Sequence, residues 1–584
     1  MITEFAALVR VHVLGNWPVA VTVVPLAIAA ATYLITSIAY LRATRSTKHG
    51  RAPPTVPYWL PVVGSTLEFV VDIEKFIKRV QTKYGDDKPY TVKLLGRTGN
   101  FNLIMKPADY SAILRSTKYT SNKLLMAEVM EKVFGTPQYV MPMYRRDVSG
   151  ISPTPIPGTD IPEHQRIWHN QHASSARYLV GDSLRSLGAR YVSSLSEALA
   201  VANPNDPVDS GEWVAMADFY PWWRSRVFTA ATTAMFGPHL IRLNPTLEAD
   251  FWAFIDVIPM LGKSYPRWMV PRAYAARDKM IAAVKKWHAF ARAHADYRHC
   301  GNDAPDWDEY WGSVWLKVRQ RWGQDTGIMD DDGLASEDLG LLMAANANAI
   351  PMAFWNLIEV CKDRALLARV LAELRSGIVS PPGQSPMTFD LGPILSSPLL
   401  QSIYAEVLRM RISLMVTRIP ERGVFRHGPW NFEHGAFIAL PSGYVGYHEG
   451  AWAEHTAGGQ RPVSEFWAER FLVPDEDGTA KTKKHKDVKA ATEKEKPKKM
   501  RFSTDHVEGI WMPYGGGAVM CPGRHLAKQE MMGGVAVFAA YYELEVAEGW
   551  VPKMDPFFYG VGAQQPAEPT PVRIRRKIGG WRKP

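Results

Sequence analysis

The stretch WMPYGGGAVMCPGRHLA, from Trp511 to Ala527, decides what kind of fold this chain of 584 residues can adopt. It is a glycine-rich loop that presents one cysteine, Cys521, and runs into an apolar, alanine-rich segment typical of a helix. Three consecutive glycines, Gly515 to Gly517, allow positive φ and a close approach of the backbone to a flat ligand. The free N–H groups of such a loop, with a helix N-terminus behind them, stabilise an anionic sulfur. These are the requirements of a thiolate ligand to a haem iron.

The same stretch resembles the haem-binding loop of cytochromes P450, whose pattern is Phe-x-x-Gly-x-Arg-x-Cys-x-Gly. Tyr514 stands at the Phe position, Gly517 and Gly523 match, and Cys521 is the expected iron ligand. Val519 replaces the usual arginine, so the propionates of the haem must find other partners. The resemblance implies haem b as cofactor. It also implies the mainly α-helical P450 fold with small β-sheets, placed here behind one N-terminal transmembrane helix.

Composition fits a large enzyme domain behind a membrane anchor. The chain is 46% apolar and 22% charged, so it can bury a sizeable core. Its three cysteines, at positions 300, 361 and 521, have neither metal-binding nor disulfide spacing, which favours a reducing compartment. The net charge of +10 comes without zinc spacing, an RNA-binding signature or a basic-aromatic platform. We therefore predict no nucleic-acid partner.

Residues 17–41, WPVAVTVVPLAIAAATYLITSIAYL, contain no charged side chain. As a helix this segment is roughly 37 Å long, which crosses a bilayer core of about 30 Å. Basic residues follow at once, at positions 42, 45, 48 and 51. The positive-inside bias predicts a single-pass anchor in the endoplasmic reticulum membrane, with the catalytic domain in the cytosol. A cleaved signal peptide is the competing interpretation.

The remaining organisation follows from patterning. We divide the chain into a short N-terminal segment (1–16), the transmembrane anchor (17–41), a basic and proline-rich hinge (42–64) and a haem-thiolate catalytic domain (65–584). Helical apolar spacing covers residues 181–200, 272–298, 336–376 and 396–412, and short strands are expected near 90–95 and 437–440. The lysine-dense segment 475–499 cannot bury enough surface to fold by itself, which predicts a solvated, mobile insertion. A docking patch for an acidic partner is the alternative.

Glu406 and Arg409 stand three residues apart, on one face of a predicted helix. The segment FWAERFL, which contains Arg470, follows sixty residues later. Together they resemble the Glu-x-x-Arg helix motif and the later Phe-x-Pro-Glu-Arg-Phe segment of P450 enzymes, with Ala468 where proline is usual. The resemblance implies that the three charged side chains interlock in a buried network that supports the haem loop.

The segment LMAANANAIPMAFW, residues 342–355, lies inside a long helical pattern. Pro351 has no N–H, so the carbonyl of Ala347 loses its helical partner, and such a distortion indicates a place that serves a ligand. Most P450 enzymes carry an acid and then a threonine here, which deliver protons during oxygen activation. Ala347 and Asn348 hold these positions and are the predicted catalytic residues. The pattern is similar to the branch with cholesterol 7α-hydroxylase, prostacyclin synthase and many fungal relatives, which contains monooxygenases and an isomerase.

Propionate partners are proposed from the remaining matches. Trp168 and His172 stand where P450 enzymes carry Trp-x-x-x-Arg, with histidine in place of arginine. Arg418, twelve residues after Glu406, matches a propionate-binding arginine of the same branch. The alternatives are an interfacial tryptophan and a surface arginine.

The resemblance implies a membrane-anchored monooxygenase that inserts one oxygen atom of O2 into a lipophilic substrate, such as a sterol, a terpenoid or another secondary metabolite. Electrons would come from an NADPH–cytochrome P450 reductase, since the chain has no flavin or dinucleotide fingerprint. The region 251–273, aromatic and poor in charge, is expected near the access channel. The alternatives are a haem-thiolate isomerase or dehydratase that needs no reductase, and a catalytically idle haem-binding membrane protein.

Overall fold

The computed structural model describes residues 17–95, 100–117, 119–201, 207–381, 384–453, 461–475 and 499–577. Helices dominate these residues, and the strands are short. In chain order the helices are α1 Trp17–Arg45, α2 Thr66–Val71, α3 Ile73–Tyr84, α4 Tyr110–Arg115, α5 Lys123–Lys132, α6 Met141–Arg146, α7 Ile167–Tyr178, α8 Gly181–Ala200, α9 Phe219–Phe236, α10 His239–Leu243, α11 Leu247–Gly262, α12 Pro271–His294, α13 Val314–Asp325, α14 Asp331–Asn346, α15 Ala349–Cys361, α16 Arg364–Leu374, α17 Leu391–Ser396, α18 Pro398–Arg411, α19 Ser442–Gly446, α20 Glu449–Trp452 and α21 Arg524–Tyr541.

The strands are β1 Tyr90–Lys93, β2 Asn100–Leu103, β3 Thr120–Ser121, β4 Val214–Met216, β5 Trp307–Asp308, β6 Gly312–Ser313, β7 Ile412–Pro420, β8 Phe425–His427, β9 Trp430–Phe432, β10 Phe437–Pro441, β11 Leu472–Pro474, β12 Met500–Phe502, β13 Tyr542–Val546, β14 Val561–Ala563 and β15 Val572–Arg576. The chain forms two compact units. One comprises Met1–Asn122, Leu414–Val445 and Gly515–Ala518, and the other comprises Lys123–Ser413, Gly446–Tyr514 and Val519–Pro584.

The first unit is built on a sheet in the order β1-β2-β10-β7. Strand β1 is antiparallel to β2, β2 is parallel to β10, and β10 is antiparallel to β7. The predicted strands near 90–95 and 437–440 correspond to β1 and β10. In β7 the residue opposite Ile438 of β10 is Arg418, so this arginine lies on a paired strand of the sheet.

Helix α1 also belongs to the first unit, and its apolar side chains are exposed, Val21, Leu26, Leu34 and Ile35 among them. Residues Val21–Arg45 and Asp331–Cys361 are long and apolar enough to cross a membrane, but 67% of the apolar window in the second segment is buried inside the protein. Every residue of α15 is buried, which explains its apolar composition as that of a core helix. An exposed apolar helix near the N-terminus suggests a membrane anchor.

The second unit is a helical body. Helix α8 packs on α9 and α21, and α15 packs on α21 and α18. The helix predicted over 181–200 is α8, and the one predicted over 396–412 is α18, which Ser397 caps through its side chain. Helix α12 ends at His294, short of the predicted 298, because the next residue is extended.

The pattern over 336–376 is not one helix. It is divided into α14, α15 and α16, with breaks at 347–348 and 362–363. The first break lies where the missing N–H of Pro351 predicts a distortion. At the second, the Asp363 side chain accepts hydrogen bonds from the N–H groups of Ala365 and Leu366 and starts α16.

The predicted lysine-rich insertion lies almost wholly outside the described residues. Its flanks are described: β11 and β12 pair in an antiparallel manner, and the N–H of Asp475 donates to the carbonyl of Lys499 at 2.8 Å. The chain therefore leaves and rejoins the second unit at adjacent points.

Candidate functional site

The cysteine loop is held by its own backbone. The N–H of Cys521 donates to the carbonyl of Tyr514 at 3.0 Å, and helix α21 begins three residues later at Arg524. Gly515 and Gly517 have φ of 71° and 70°, a region that side chains disfavour. Cys521 is exposed, whereas Cys300 and Cys361 are buried. Among the three cysteines, Cys521 alone is thus open to a ligand.

Two opposing effects set the acidity of this thiol. Desolvation raises the pKa of Cys521 above its ordinary value, while the N–H groups of Gly523 and Arg524 and the charge of Arg524 act to lower the pKa. N–H groups that donate to sulfur favour the thiolate. The N–H groups of Gly523 and Arg524 therefore favour the anionic form, against the desolvation that favours the neutral thiol.

The base of the loop is fixed to α18 through aromatic residues. The hydroxyl of Tyr514 lies 2.8 Å from that of Tyr404, and the indole N–H of Trp511 donates to the carbonyl of Ala405 at 3.0 Å. Burial raises the pKa of both tyrosines, so their hydroxyls stay neutral donors. Tyrosine at the usual Phe position thus adds a hydrogen bond that phenylalanine cannot make.

The predicted charge network is present and buried. Arg409 donates to both carboxylate oxygens of Glu406, at 2.7 and 2.8 Å, and Arg470 Nε lies 2.9 Å from Glu406 Oε1. The N–H of Trp467 adds a further hydrogen bond to Glu406 at 3.1 Å. Glu406 is fully buried, and both arginines are at most 3% exposed. The interlocked arrangement inferred from the resemblance is confirmed.

In the first unit, Arg418 is a buried cation. Its guanidinium donates to the carbonyl of Thr417 at 3.0 Å and of Gly516 at 2.6 Å, and the residue is 2% exposed. Within the part of the chain that the structure describes, no carboxylate forms an ion pair with it. Burial lowers the pKa of Arg418 to about 10. A buried charge that meets only carbonyl groups is costly unless an anion neutralises it.

Gly517 is needed for steric reasons as well as for its φ. A Cβ at this position would lie 2.2 Å from the carbonyl oxygen of Leu114 and 3.5 Å from the Arg418 guanidinium. The glycine therefore brings the loop backbone against α4 and beside Arg418.

Trp168 and His172 lie one turn apart on α7, on the same face of the helix. The backbone N–H of Trp168 donates to Asp147 at 3.1 Å, and its indole N–H donates to the carbonyl of Tyr144 at 3.2 Å. His172 is half-buried, and its ring has no hydrogen bond or ion pair to any residue that the structure describes. The indole thus has a protein partner, while the imidazole remains available.

Ala347 and Asn348 form the break between α14 and α15. The side-chain oxygen of Asn348 accepts a hydrogen bond from the N–H of Ala563, in β14, at 2.8 Å. Beside them is a cavity of about 20 Å³ within the second unit. The other residues that line it are Ile255, Ile258, Met343, Phe558, Val561, Gly562, Ala563 and Gln565.

Comparison with known proteins decides the family. Over 531 residues the chain is 31% identical to the cytochrome P450 monooxygenase fsoE of Humicola fuscoatra, and the match covers 90% of this chain and 88% of that protein. This chain belongs to the cytochrome P450 family. No family model matches it. As the sequence predicted, it is a P450 monooxygenase, and membership of the family implies haem, a substrate and an electron donor.

Two further P450 matches bear on branch and fold. The cholesterol 7-alpha-monooxygenase of Cricetulus griseus is 23% identical over 544 residues, which cover 90% of this chain and 94% of that protein. The retinoic acid-bound cyanobacterial CYP120A1 structure has a TM-score of 0.60 at 16% identity, over 90% of this chain and 99% of that one. The predicted resemblance to the cholesterol 7α-hydroxylase branch and the P450 fold are both confirmed.

The residues present fit the haem that the P450 family implies. Cys521 is exposed, and the N–H groups of Gly523 and Arg524 act to lower the pKa of its thiol, as a thiolate ligand requires. Arg418 is a buried guanidinium without a carboxylate among the described residues, as a propionate partner requires. Val519 provides no positive charge in the loop, so a propionate would depend more on Arg418.

The contribution of strand β14 and the residues after it to the cavity lining could not be predicted from the sequence. Gly562 lies so close to Asn348 that a Cβ there would be 2.3 Å from the Asn348 side-chain oxygen. Gln565 adds a second amide to the cavity. The only sequence signal was the glycine-containing run GVGA at 560–563, which indicates a turn but no contact with a helix two hundred residues earlier. The region 251–273 contributes Ile255 and Ile258 to the lining, on α11.

Proposed function

We propose that this P450 is a single-pass protein of the endoplasmic reticulum membrane that oxygenates a lipophilic substrate in the cytosol. One atom of O2 enters a sterol, a terpenoid or another secondary metabolite, and electrons come from NADPH–cytochrome P450 reductase. The anchor is residues 17–41, the hinge 42–64 and the catalytic domain 65–584, after a short segment 1–16.

The single observation that carries the proposal is the cysteine loop. Cys521 is exposed at the start of α21, where the N–H groups of Gly523 and Arg524 act to lower the pKa of its thiol. A helix N-terminus and oriented N–H groups lower the proton affinity of a thiol. In this proposal Cys521 is the sole protein ligand to the iron, and Tyr514, Gly517 and Gly523 shape its loop.

The haem b iron, when bound through a thiolate, supplies the activation of O2. The propionates are held by Arg418, His172 and Trp168 in our proposal. Arg418 is the strongest of the three, because its buried charge has no carboxylate partner among the described residues. His172 supplies a free ring nitrogen, and Trp168 an indole N–H that would exchange the carbonyl of Tyr144 for a propionate oxygen.

We assign Asn348 and Ala347 to proton supply. The Asn348 oxygen accepts from the N–H of Ala563, which orients its NH2 group as a donor. The adjacent cavity of about 20 Å³ is the size of one water molecule. A water that accepts from the Asn348 amide and donates to the Ala347 carbonyl, which lacks a helical partner because of Pro351, would be held ready to give up a proton.

The test is to follow NADPH consumption, hydrogen peroxide and product together, in a host that supplies the reductase. A panel of lipophilic compounds first identifies a substrate for the wild-type enzyme. Asn348→Leu should then lower product and raise the share of electrons lost to peroxide, with substrate affinity little changed. Asn348→Thr should be milder, because a hydroxyl restores the relay that is common in the family.

A matched variant separates the water from the backbone contact. Asn348→Asp keeps an oxygen for the N–H of Ala563 but removes the NH2 donor, so it should uncouple the enzyme as Asn348→Leu does. Full, tightly coupled oxygenation by Asn348→Leu would refute the role of the side chain. Product formation by the wild type without any NADPH would refute the monooxygenase and favour an isomerase or a dehydratase.

A further inference from the structure

The cavity beside Asn348 has an apolar wall and two polar side chains, those of Asn348 and Gln565. Ile255 and Ile258 of α11, Met343 of α14, and Phe558 and Val561 of the C-terminal region form the wall. No charged side chain lines it. Besides Asn348, the only polar side chain in the lining is that of Gln565. A few polar groups in an otherwise apolar surface are the arrangement by which proteins orient a largely hydrophobic ligand.

The orientation of the Gln565 amide is fixed by a hydrogen bond from Tyr220. The hydroxyl of Tyr220, in α9, donates to Gln565 Oε1 at 3.1 Å, and both residues are buried. The Arg224 guanidinium lies against the ring of Tyr220, 5.5 Å from its centroid, and next to its hydroxyl. Since a guanidinium can only donate, Tyr220 must use its own proton toward Gln565. The amide oxygen is thereby occupied, and the NH2 group is the part left for the cavity.

The backbone of Gln565 is also fixed. Its carbonyl accepts from the N–H of Asp555 at 2.9 Å, and the neighbouring Gln564 donates through its side chain to the carbonyl of Asp555 at 3.2 Å. The Gln565 NH2 group has no partner among the residues that the structure describes. A ligand that offers an acceptor can therefore form a hydrogen bond with this NH2 group.

We infer that Gln565 is a specificity-determining residue, whose NH2 group binds a neutral oxygen acceptor on the substrate. This inference rests on the proposed function, because it takes the cavity as part of the substrate site. It narrows the lipophilic substrate to one that already carries a ketone, ester or hydroxyl oxygen some distance from the carbon to be oxidised. A carboxylate is disfavoured, since the lining offers it no positive charge.

The cavity volume of about 20 Å³ is that of a water, so a substrate widens the cavity as it binds. The apolar wall can move without losing hydrogen bonds, whereas the amide of Gln565 is held by Tyr220 and by the backbone. The Gln565 amide therefore stays in place while the apolar wall adapts to the carbon skeleton of the substrate.

The experiment measures binding by titration of the haem absorption band in the loaded, full-length enzyme. The probes are matched pairs that differ only in the acceptor: adamantane with 2-adamantanone, and 5α-androstane with 5α-androstan-3-one. The wild type should bind the ketone of a pair about three- to tenfold more tightly than the hydrocarbon, the range of one net hydrogen bond. Gln565→Met, which keeps the size of the side chain and removes the donor, should abolish this ratio and leave hydrocarbon binding unchanged.

Two further variants keep the result decisive. Tyr220→Phe frees the amide to turn, so it should reduce the ratio even if Gln565→Met does not fold. Met343→Leu changes the wall alone and should leave the ratio as it is. A ratio near one in the wild type, or an unchanged ratio in Gln565→Met and Tyr220→Phe, overturns the assignment of Gln565 while the proposed function stands. No binding of any probe by haem-loaded wild type, together with product formation without NADPH, overturns the proposed function itself.

Discussion

Replacing Gly562 by alanine would test the position of Asn348 without altering Asn348 itself. The φ of Gly562 lies outside the left-handed region, so alanine is compatible with the backbone there. The added Cβ would lie 2.3 Å from Asn348 Oδ1, against an ordinary contact of 3.4 Å or more. The amide oxygen must therefore retreat by about 1 Å, which breaks its 2.8 Å hydrogen bond from the N–H of Ala563.

The magnitude follows from that bond. An N–H left buried without a partner costs about 1 to 3 kcal/mol, so the free energy of unfolding should fall by this amount in chemical denaturation of the haem-loaded protein. The larger effect should be functional: once its orientation is lost, the Asn348 amide no longer holds a water in one place. Product formed per NADPH should fall, and peroxide should rise, with the thiolate-type carbon monoxide spectrum intact.

The control is Gly262→Ala, near the end of α11, where an added Cβ meets nothing within 4 Å. It should leave both the stability and the coupling as in the wild type. If Gly562→Ala also couples NADPH to product as tightly as the wild type does, and is as stable, the contact between Asn348 and β14 does not govern proton supply.

Four other perturbations have defined outcomes. Cys521→Ala should abolish the thiolate-type carbon monoxide difference spectrum, and a variant that keeps this spectrum would disprove the ligand assignment. Arg418→Leu should speed the transfer of haem to an acceptor protein by about ten- to a hundredfold, because a charged hydrogen bond is lost. Arg418→Lys should have a rate between those of the wild type and Arg418→Leu. Equal transfer rates in the wild type and Arg418→Leu would exclude a propionate contact. Glu406→Gln leaves two buried guanidinium groups without their anion and should lower the free energy of unfolding by about 3 to 5 kcal/mol. Glu74→Gln removes an exposed ion pair and should lower it by less than about 1 kcal/mol. Similar losses of stability in the two variants would contradict the burial argument. Deletion of residues 1–45 should free the protein from carbonate-washed membranes with haem still incorporated, and protease protection of the C-terminus in sealed microsomes would show the opposite orientation.

The sequence could predict those structural features whose residues lie close together along the chain. Cys521, Gly517 and Gly523 lie within seven residues of one another, so their pattern contains the whole loop. The helix break at 347–348 was likewise predicted, because the missing N–H of Pro351 acts only four residues away. Glu406 and Arg470 are sixty-four residues apart, and their contact could be inferred only from the family motif.

The contacts that orient the cavity were beyond such reasoning. Asn348 meets Ala563 across 215 positions, and Tyr220 meets Gln565 across 345. Neither pair has a spacing rule, since both depend on how helices and the C-terminal strands pack. The choice of donor and acceptor in an amide depends on these same contacts, so the sequence can name an asparagine or a glutamine but not the direction of its NH2 group.

The pairing of β11 with β12 has a consequence for how this protein can change. The chain leaves the second unit at β11 and returns at β12, and the two strands are paired, with the N–H of Asp475 bonded to the carbonyl of Lys499. The packing of the unit therefore does not depend on the number of residues between these strands. The entropy of closing such a loop varies only with the logarithm of its length, about 0.6 kcal/mol for each doubling. Positions 476–498 are thus a place where the length and charge of the segment can drift, or be replaced by a tag or a fused domain, at little cost to the fold of the enzyme.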